Sequence, residues 1–240
     1  MRYDIFPEAK QATLAAADYL VSELGRARSV MVAGGNTPLE LYAEIERRRV
    51  FLPEIHLFIL DEYVGVPPED PRTCSNLLGR TVQRAWRVNA SRFYTISSLE
   101  AEAERSVMRH ERHVEEIGGL DVIVLGLGPN GHLGFNEPGS SPASSARVLD
   151  LKPESIEANR KWFGGEYAPS KGATVGLRTI LGARHVILLA FGEAKTKAAH
   201  AMMNGPKDGN CPAAFLQSHP SVRIFLDEKA AAQLEQRPRE

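Results

Sequence analysis

The chain has 240 residues, 43% of them hydrophobic, and 29 Lys and Arg against 30 Asp and Glu give a formal net charge of −1. The apolar share supports a sizeable core and excludes general disorder. The even charge excludes the basic excess of a nucleic-acid or membrane-surface binder, so neither partner is expected.

Cys74 and Cys211 form no Cys-x-x-Cys, and neither a metal site nor a disulfide framework is expected. The start, Met-Arg-Tyr-Asp-Ile-Phe-Pro, lacks the apolar core of a signal peptide. No window reaches the ~18 apolar residues of a membrane span. A reducing cytoplasm fits these features.

In chain order, residues 8–25 read as an Ala-rich amphipathic helix stopped by Gly25. Residues 29–33 are a short apolar strand, followed by Gly34-Gly-Asn-Thr-Pro38 and a helix over about 39–49. A second buried strand, 55–60, ends at Asp61-Glu-Tyr63; a Pro-rich loop and a helix from Ser75 follow. Residues 98–117 read as a long charged helix capped by Ser98. Further strands are expected at 121–125, 173–177, 185–189 and 222–226, with helices at 193–203 and 227–236. Residues 143–170 are the least regular stretch and suggest a flap. Strands alternating with helices predict an α/β fold, an open, mostly parallel sheet with helices on both faces. No repeat or linker divides the chain, so residues 1–240 read as a single domain.

In such a sheet, ligands bind where loops leave the carboxyl ends of the strands. Gly34, Gly35, Asn36 and Thr37 run from a strand into a helix, a cradle suited to an anion. The loop lacks the Gly-Lys-Ser/Thr ending of a nucleotide triphosphate site. Asp61 and Glu62 are neighbours on a strand and should point to opposite faces, one into a cleft and one supporting a loop. Leu125-Gly-Leu-Gly-Pro-Asn-Gly-His-Leu-Gly-Phe-Asn-Glu-Pro-Gly139 sets His132 five residues before Glu137, with Asn130 just ahead. A His with a carboxylate in reach is the basic unit of acid–base catalysis. Gly192-Glu-Ala-Lys195 opens a later helix and offers a Lys to a phosphate.

Together with Leu60-Asp-Glu-Tyr-Val-Gly-Val-Pro67 and Cys211-Pro…Leu216-Gln-x-His-Pro220, these motifs occur in the order found in the glucosamine-6-phosphate deaminase family, which the chain resembles over residues 30–226. Its wider superfamily includes 6-phosphogluconolactonase and ribose-5-phosphate isomerase-like folds. The resemblance implies a modified Rossmann-like fold and no cofactor. It also implies isomerisation and deamination of an aminosugar 6-phosphate, yielding fructose 6-phosphate, or its tagatose epimer, and ammonium. By position it implies that Asp61 moves the C2 hydrogen toward C1 and that His132, oriented by Glu137, opens the ring. Gly34, Gly35, Asn36, Thr37 and Lys195 would hold the phosphate.

Two positions depart from the family. Asn130 stands where Asp is usual, and it is expected to orient the imidazole by hydrogen bonding. Lys161 stands where hexameric members have a phosphate-binding Arg, with Arg160 beside it. The short C-terminus leads to the expectation of a monomer or small homo-oligomer.

The lactonase branch lacks the Glu of Phe135-Asn-Glu-Pro138. A repressor-type sugar-phosphate sensor would carry a helix-turn-helix, for which 28 residues ahead of the first expected strand are too few. The Gly-x-Asn-Gly-His-Leu-Gly pattern also resembles the galactosamine-6-phosphate branch. His110 and His113, three apart on a helix, read as a solvated face. Trp86 and Phe191 read as packing residues, and so does Trp162 unless a sugar lies near the flap.

Overall fold

The structure is a computed structural model in which residues 1–165 and 167–234 are described. The chain runs β1 (Arg2–Phe6), α1 (Ala9–Leu24), β2 (Ser29–Val32), α2 (Asn36–Arg47), β3 (His56–Ile59) and β4 (Asp61–Val64). It continues through α3 (Cys74–Leu78), β5 (Phe93–Tyr94), α4 (Glu100–Glu116), β6 (Val122–Gly126), β7 (Arg147–Asp150) and α5 (Pro153–Trp162). Then follow β8 (Lys171–Thr174), α6 (Leu177–Leu181), β9 (His185–Ala190), α7 (Thr196–Asn204) and β10 (Val222–Asp227).

Seven strands form a sheet in the order β1-β10-β9-β6-β2-β3-β5, and every pairing in it is parallel. Successive side chains go to opposite faces, and both faces are covered. Val30, Val32, Leu57, Ile59, Val122, Val124, Ile187 and Leu189 pack with Leu20, Leu41 and Ile45 of α1 and α2. Met31, Phe58, Ile123, Leu125, Val186 and Leu188 pack on the other side with Ile180, Met202 and Leu216. Burial of each such side chain contributes about 1.5–3 kcal/mol, which keeps the carboxyl edge of the sheet rigid. From β2 the chain builds outward through β3 and β5, then returns to β6 on the other side. The loops after β2 and β6 therefore diverge, opening a crevice at the switch point.

Beyond the expected sheet lies a second, antiparallel one of order β4-β8-β7. The chain leaves the parallel sheet at Leu60, whose N–H still bonds Val32 O at 3.0 Å while its carbonyl accepts from Val175 N. One residue later, Asp61 opens β4.

Several expectations need correction. The strand read at 173–177 is β8, which runs antiparallel over Lys171–Thr174, and Leu177 already begins α6. The apolar run could not reveal which sheet it joins. The segment read as a helix at 227–236 makes turns over residues 228–234, with residues 235–240 outside those described. Asp227 instead ends β10, and its carboxylate binds Gly192 N and Ala230 N.

Ser98 does not cap α4. Leu99 is the N-cap, and Ser97 Oγ takes the Leu99 N–H while donating to Glu102. Gly25 has φ −62°, so it ends α1 without a left-handed turn. The first strand is β1, not residues 29–33, and α1 packs on the sheet, so the first 28 residues belong to the fold. β1, β5 and β7 escaped notice because they are short and only partly buried. His110 is buried, not solvated; its Nε2 meets Ile59 O at 2.8 Å.

Candidate active site

A cavity of about 370 Å³ opens at the switch point, walled by the loops after β2 and β6, by β4, α3 and α5, and by Lys195. The β2–α2 loop enters it first. Gly35 adopts φ +93°, a left-handed conformation that favours glycine, and α2 begins one residue on, at Asn36. This start is three residues earlier than expected, so Asn36, Thr37 and Pro38 form the first helical turn. The N-cap makes no side-chain bond, and first-turn N–H groups lack intrahelical partners. Tyr42, one turn further on, donates to Ala33 O at 2.9 Å and fixes the loop to its helix.

Asp61 and Glu62 divide as neighbours on a strand must. Asp61 lines the cavity, while Glu62 turns away and accepts the N–H groups of Tyr63, Cys74 and Ser75 at 2.8 Å. Glu62 thereby anchors the start of α3 and places the Cys74 thiol 3.8 Å from Asp61 Oδ1, to which it donates. Asp61 is 7% exposed. Burial, reinforced by the neighbouring Glu62 charge, raises its pKa to about 7. Such a carboxyl can hold and release a proton near neutrality.

The β6 loop supplies the second acid–base unit. His132 Nδ1 lies 3.4 Å from Glu137 Oε2 and 3.3 Å from Ser155 Oγ of α5. Burial pushes the Glu137 pKa upward, but contacts with His132, Ser155 and Asn130 outweigh it and hold the value at about 2. Asn130 does not reach the imidazole as expected. Its Nδ2 donates to Glu137 Oε2 at 2.8 Å, and its Oδ1 accepts the His132 backbone N–H at 3.2 Å. Both polar atoms of the amide are thereby engaged away from the ring. A Cβ on Gly128 would collide with the His132 ring, so glycine there makes room for the imidazole.

Lys195 lines the cavity from the turn before α7, half-buried, and burial lowers its pKa. The sequence-selected Gly34, Gly35, Asn36, Thr37, Asp61, His132 and Lys195 thus share one cavity, with Glu137 and Asn130 directly behind His132. Lys161 does not join them. It is exposed on α5, whose cavity face is Ser155, Ala158, Asn159 and Trp162, and Arg160 pairs outside with Glu157. The stretch read as a flap therefore contributes a helical wall. Tyr63, Arg72 and Ser155 also line the cavity, and sequence reasoning missed them. The spacing of Ser155, Ala158, Asn159 and Trp162 is the one available signal; nothing local distinguishes Arg72.

Fold and cavity together define an α/β protein with a buried carboxyl, a His–Glu pair, a helix N-terminus and a lysine gathered on one sheet edge. The chain belongs to the glucosamine-6-phosphate isomerase/6-phosphogluconolactonase family, whose model matches residues 3–224. It is 36% identical over 226 residues to a glucosamine-6-phosphate deaminase of Cutibacterium acnes, covering 91% of this chain and 87% of that one. A glucosamine-6-phosphate deaminase of Rhodopirellula baltica is 35% identical, with 98% and 96% covered. Among solved structures, a monomeric glucosamine-6-phosphate deaminase superposes with a TM-score of 0.91 at 28% identity, covering 97% and 99%. The 6-phosphogluconolactonase of Trypanosoma cruzi shares the fold, with a TM-score of 0.81 at 19% identity and 98% and 97% covered.

Proposed function

We propose that this protein is a glucosamine-6-phosphate deaminase, converting glucosamine 6-phosphate and water to fructose 6-phosphate and ammonium. The observation that carries this reading is the meeting of Asp61, the His132–Glu137 pair and the Gly34–Thr37 and Lys195 cradle in one cavity. The curated relatives named above act on the gluco sugar by name.

The cradle takes the phosphate, since N–H donors and a cation suit a dianion. His132 removes the C1 hydroxyl proton and returns a proton to the ring oxygen, opening the pyranose. Glu137 holds the ring at Nδ1 and stabilises the imidazolium that forms between the two transfers. Asp61 then takes the C2 hydrogen as a proton and delivers it to C1, while O1 takes a proton from the C2 ammonium of the substrate, shifting the double bond so that C2 becomes an iminium carbon. Water adds at C2, the C–N bond breaks, and ammonium leaves with the ketose. A buried carboxyl with a pKa of about 7 suits a group that must both accept and return a proton.

The galacto epimer is the second reading, favoured by Gly128-Pro-Asn-Gly-His-Leu-Gly134. Ammonium release from both epimers at equal concentration separates them. A kcat/KM more than ~10-fold higher for the gluco sugar, about 1.4 kcal/mol, is expected, and the reverse ratio would reassign the substrate. Release from neither would end the deaminase reading.

The same reading treats residues 1–240 as one catalytic domain acting in amino-sugar catabolism, cytoplasmic, and monomeric or a small homo-oligomer. The near-neutral charge and two unpaired cysteines support it, and no helix among the described residues is long and apolar enough to cross a membrane.

A further inference from the structure

The substrate assigned above carries a dianionic phosphate, and the family position expected to supply an Arg for it holds Lys161, which lies outside the cavity. Of the described residues that line the cavity, His132 apart, Arg72 and Lys195 bear the cationic side chains. They reach it from different elements, Arg72 from the loop before α3 and Lys195 from the turn before α7. We propose that Arg72 is a phosphate-binding residue of this enzyme, taking over from the loop after β4 the charge that α5 does not present. This inference rests on the deaminase reading.

Three features prepare Arg72 for the role. Asp70 grips its guanidinium through two bonds, Nε to Oδ1 at 2.9 Å and Nη2 to Oδ2 at 2.6 Å. Nη1 donates to Phe163 O at 3.0 Å, and the guanidinium carbon sits 4.9 Å from the centre of the Phe163 ring. The Arg72 carbonyl in turn accepts from Trp162 Nε1 at 3.1 Å, and Trp162 is a cavity-wall residue. The planar cation is therefore oriented before ligand arrives, which limits the entropy lost on binding. The Asp70 charge offsets part of the attraction for a dianion, so the effect should be smaller than for an uncompensated cation.

The geometry also gives Arg72 a structural job, because its contacts join the Pro-rich loop to the end of α5. The two roles separate experimentally. A structural clamp would change kcat and thermal stability without selecting for phosphate. A phosphate ligand changes KM and the affinity for inorganic phosphate together, since the group is bound alike in ground and transition states.

The test uses the full chain and measures ammonium release from glucosamine 6-phosphate, with inorganic phosphate as competing inhibitor. In Arg72→Ala, KM and the inhibition constant of phosphate should both rise roughly 10- to 100-fold, with kcat within a few-fold of wild type. Added guanidinium ion should recover part of the lost affinity. If Arg72→Ala does not fold, Arg72→Lys decides: it keeps the charge but loses the fork, and should raise both constants by several-fold. Unchanged phosphate inhibition in the folded variant would overturn the proposal. So would a Lys161→Ala variant that weakens phosphate when the Arg72 variant does not. Wild-type protein that releases no ammonium from the sugar phosphate would instead strike the deaminase reading itself, which keeps the two failures distinct.

Discussion

The amide nitrogen of Asn130 donates to Glu137 Oε2 at 2.8 Å, the same oxygen that lies 3.4 Å from His132 Nδ1. The residue that departs from the family's usual Asp therefore acts on the carboxylate rather than on the imidazole. An Asp in that place would set two carboxylates against each other.

Asn130→Asp tests this relationship. With the backbone unchanged, two carboxylates in contact cannot both ionise freely, and one must hold a proton or swing away. Deamination at pH 8 is expected to fall by about 10-fold or more, with a smaller deficit at pH 6, where a shared proton is available. Equal or higher activity across that range would show that the loop rearranges to accept a third charge.

Asp61→Asn should divide activity from stability. Removal of the proposed base should lower kcat by at least ~10³ while phosphate inhibition stays near normal. The folded pKa of Asp61 is raised from 3.8 to about 7, so the folded state binds the proton more tightly than the unfolded state. The associated stability is fully present below the unfolded value and is lost as pH rises through 7. Above that, the buried carboxylate costs up to ~4 kcal/mol. Urea unfolding should find the variant more stable than wild type at pH 8 and little changed at pH 4. In the wild type, kcat/KM should fall as pH drops below about 7 and Asp61 becomes protonated.

His110 carries a stability signature of the opposite sense. Burial against Phe58, with His113 adding repulsion, lowers its pKa from 6.5 to about 4. A histidine kept neutral in the fold contributes fully above the unfolded pKa and loses that contribution as pH falls toward the folded one. The loss between pH 6.5 and 4 is about 3 kcal/mol. Urea melts of wild type and His110→Gln at pH 7.5 and 4.5 should show the wild-type advantage shrinking at the lower pH. A constant difference would mean that His110 is not held neutral.

Gly128→Ala should disable the site without replacing any ionisable group. A methyl at this position meets the His132 ring, and overpacking of this kind typically costs 1–3 kcal/mol. Displacing the imidazole from Glu137 and Ser155 should lower kcat on the order of 10²-fold. A folded variant with normal turnover would show that His132 tolerates another rotamer.

The residues of the candidate site were legible in the sequence because they lie in short motifs that follow strands directly. Gly34 to Thr37, Asp61, and Asn130 to Glu137 each sit within a few residues of an apolar run, and a parallel sheet collects such loops at one edge. The opposite fates of Asp61 and Glu62 followed likewise from strand alternation.

Tertiary structure alone decided the rest. The run read as a strand at 173–177 looks the same in sequence whether it joins the parallel sheet or, as part of Lys171–Thr174, pairs with Asp61–Val64 in the antiparallel one; partner strands make that choice. Its place in the family's motif put Lys161 among the candidate phosphate ligands, but the rotation of α5 leaves it exposed and turns Ser155 toward His132. Arg72 enters the cavity because Asp70 and Phe163, 91 positions away in the chain from Arg72, fix its guanidinium. Contacts between segments so distant in sequence leave no local pattern, and only the packed fold brings them together.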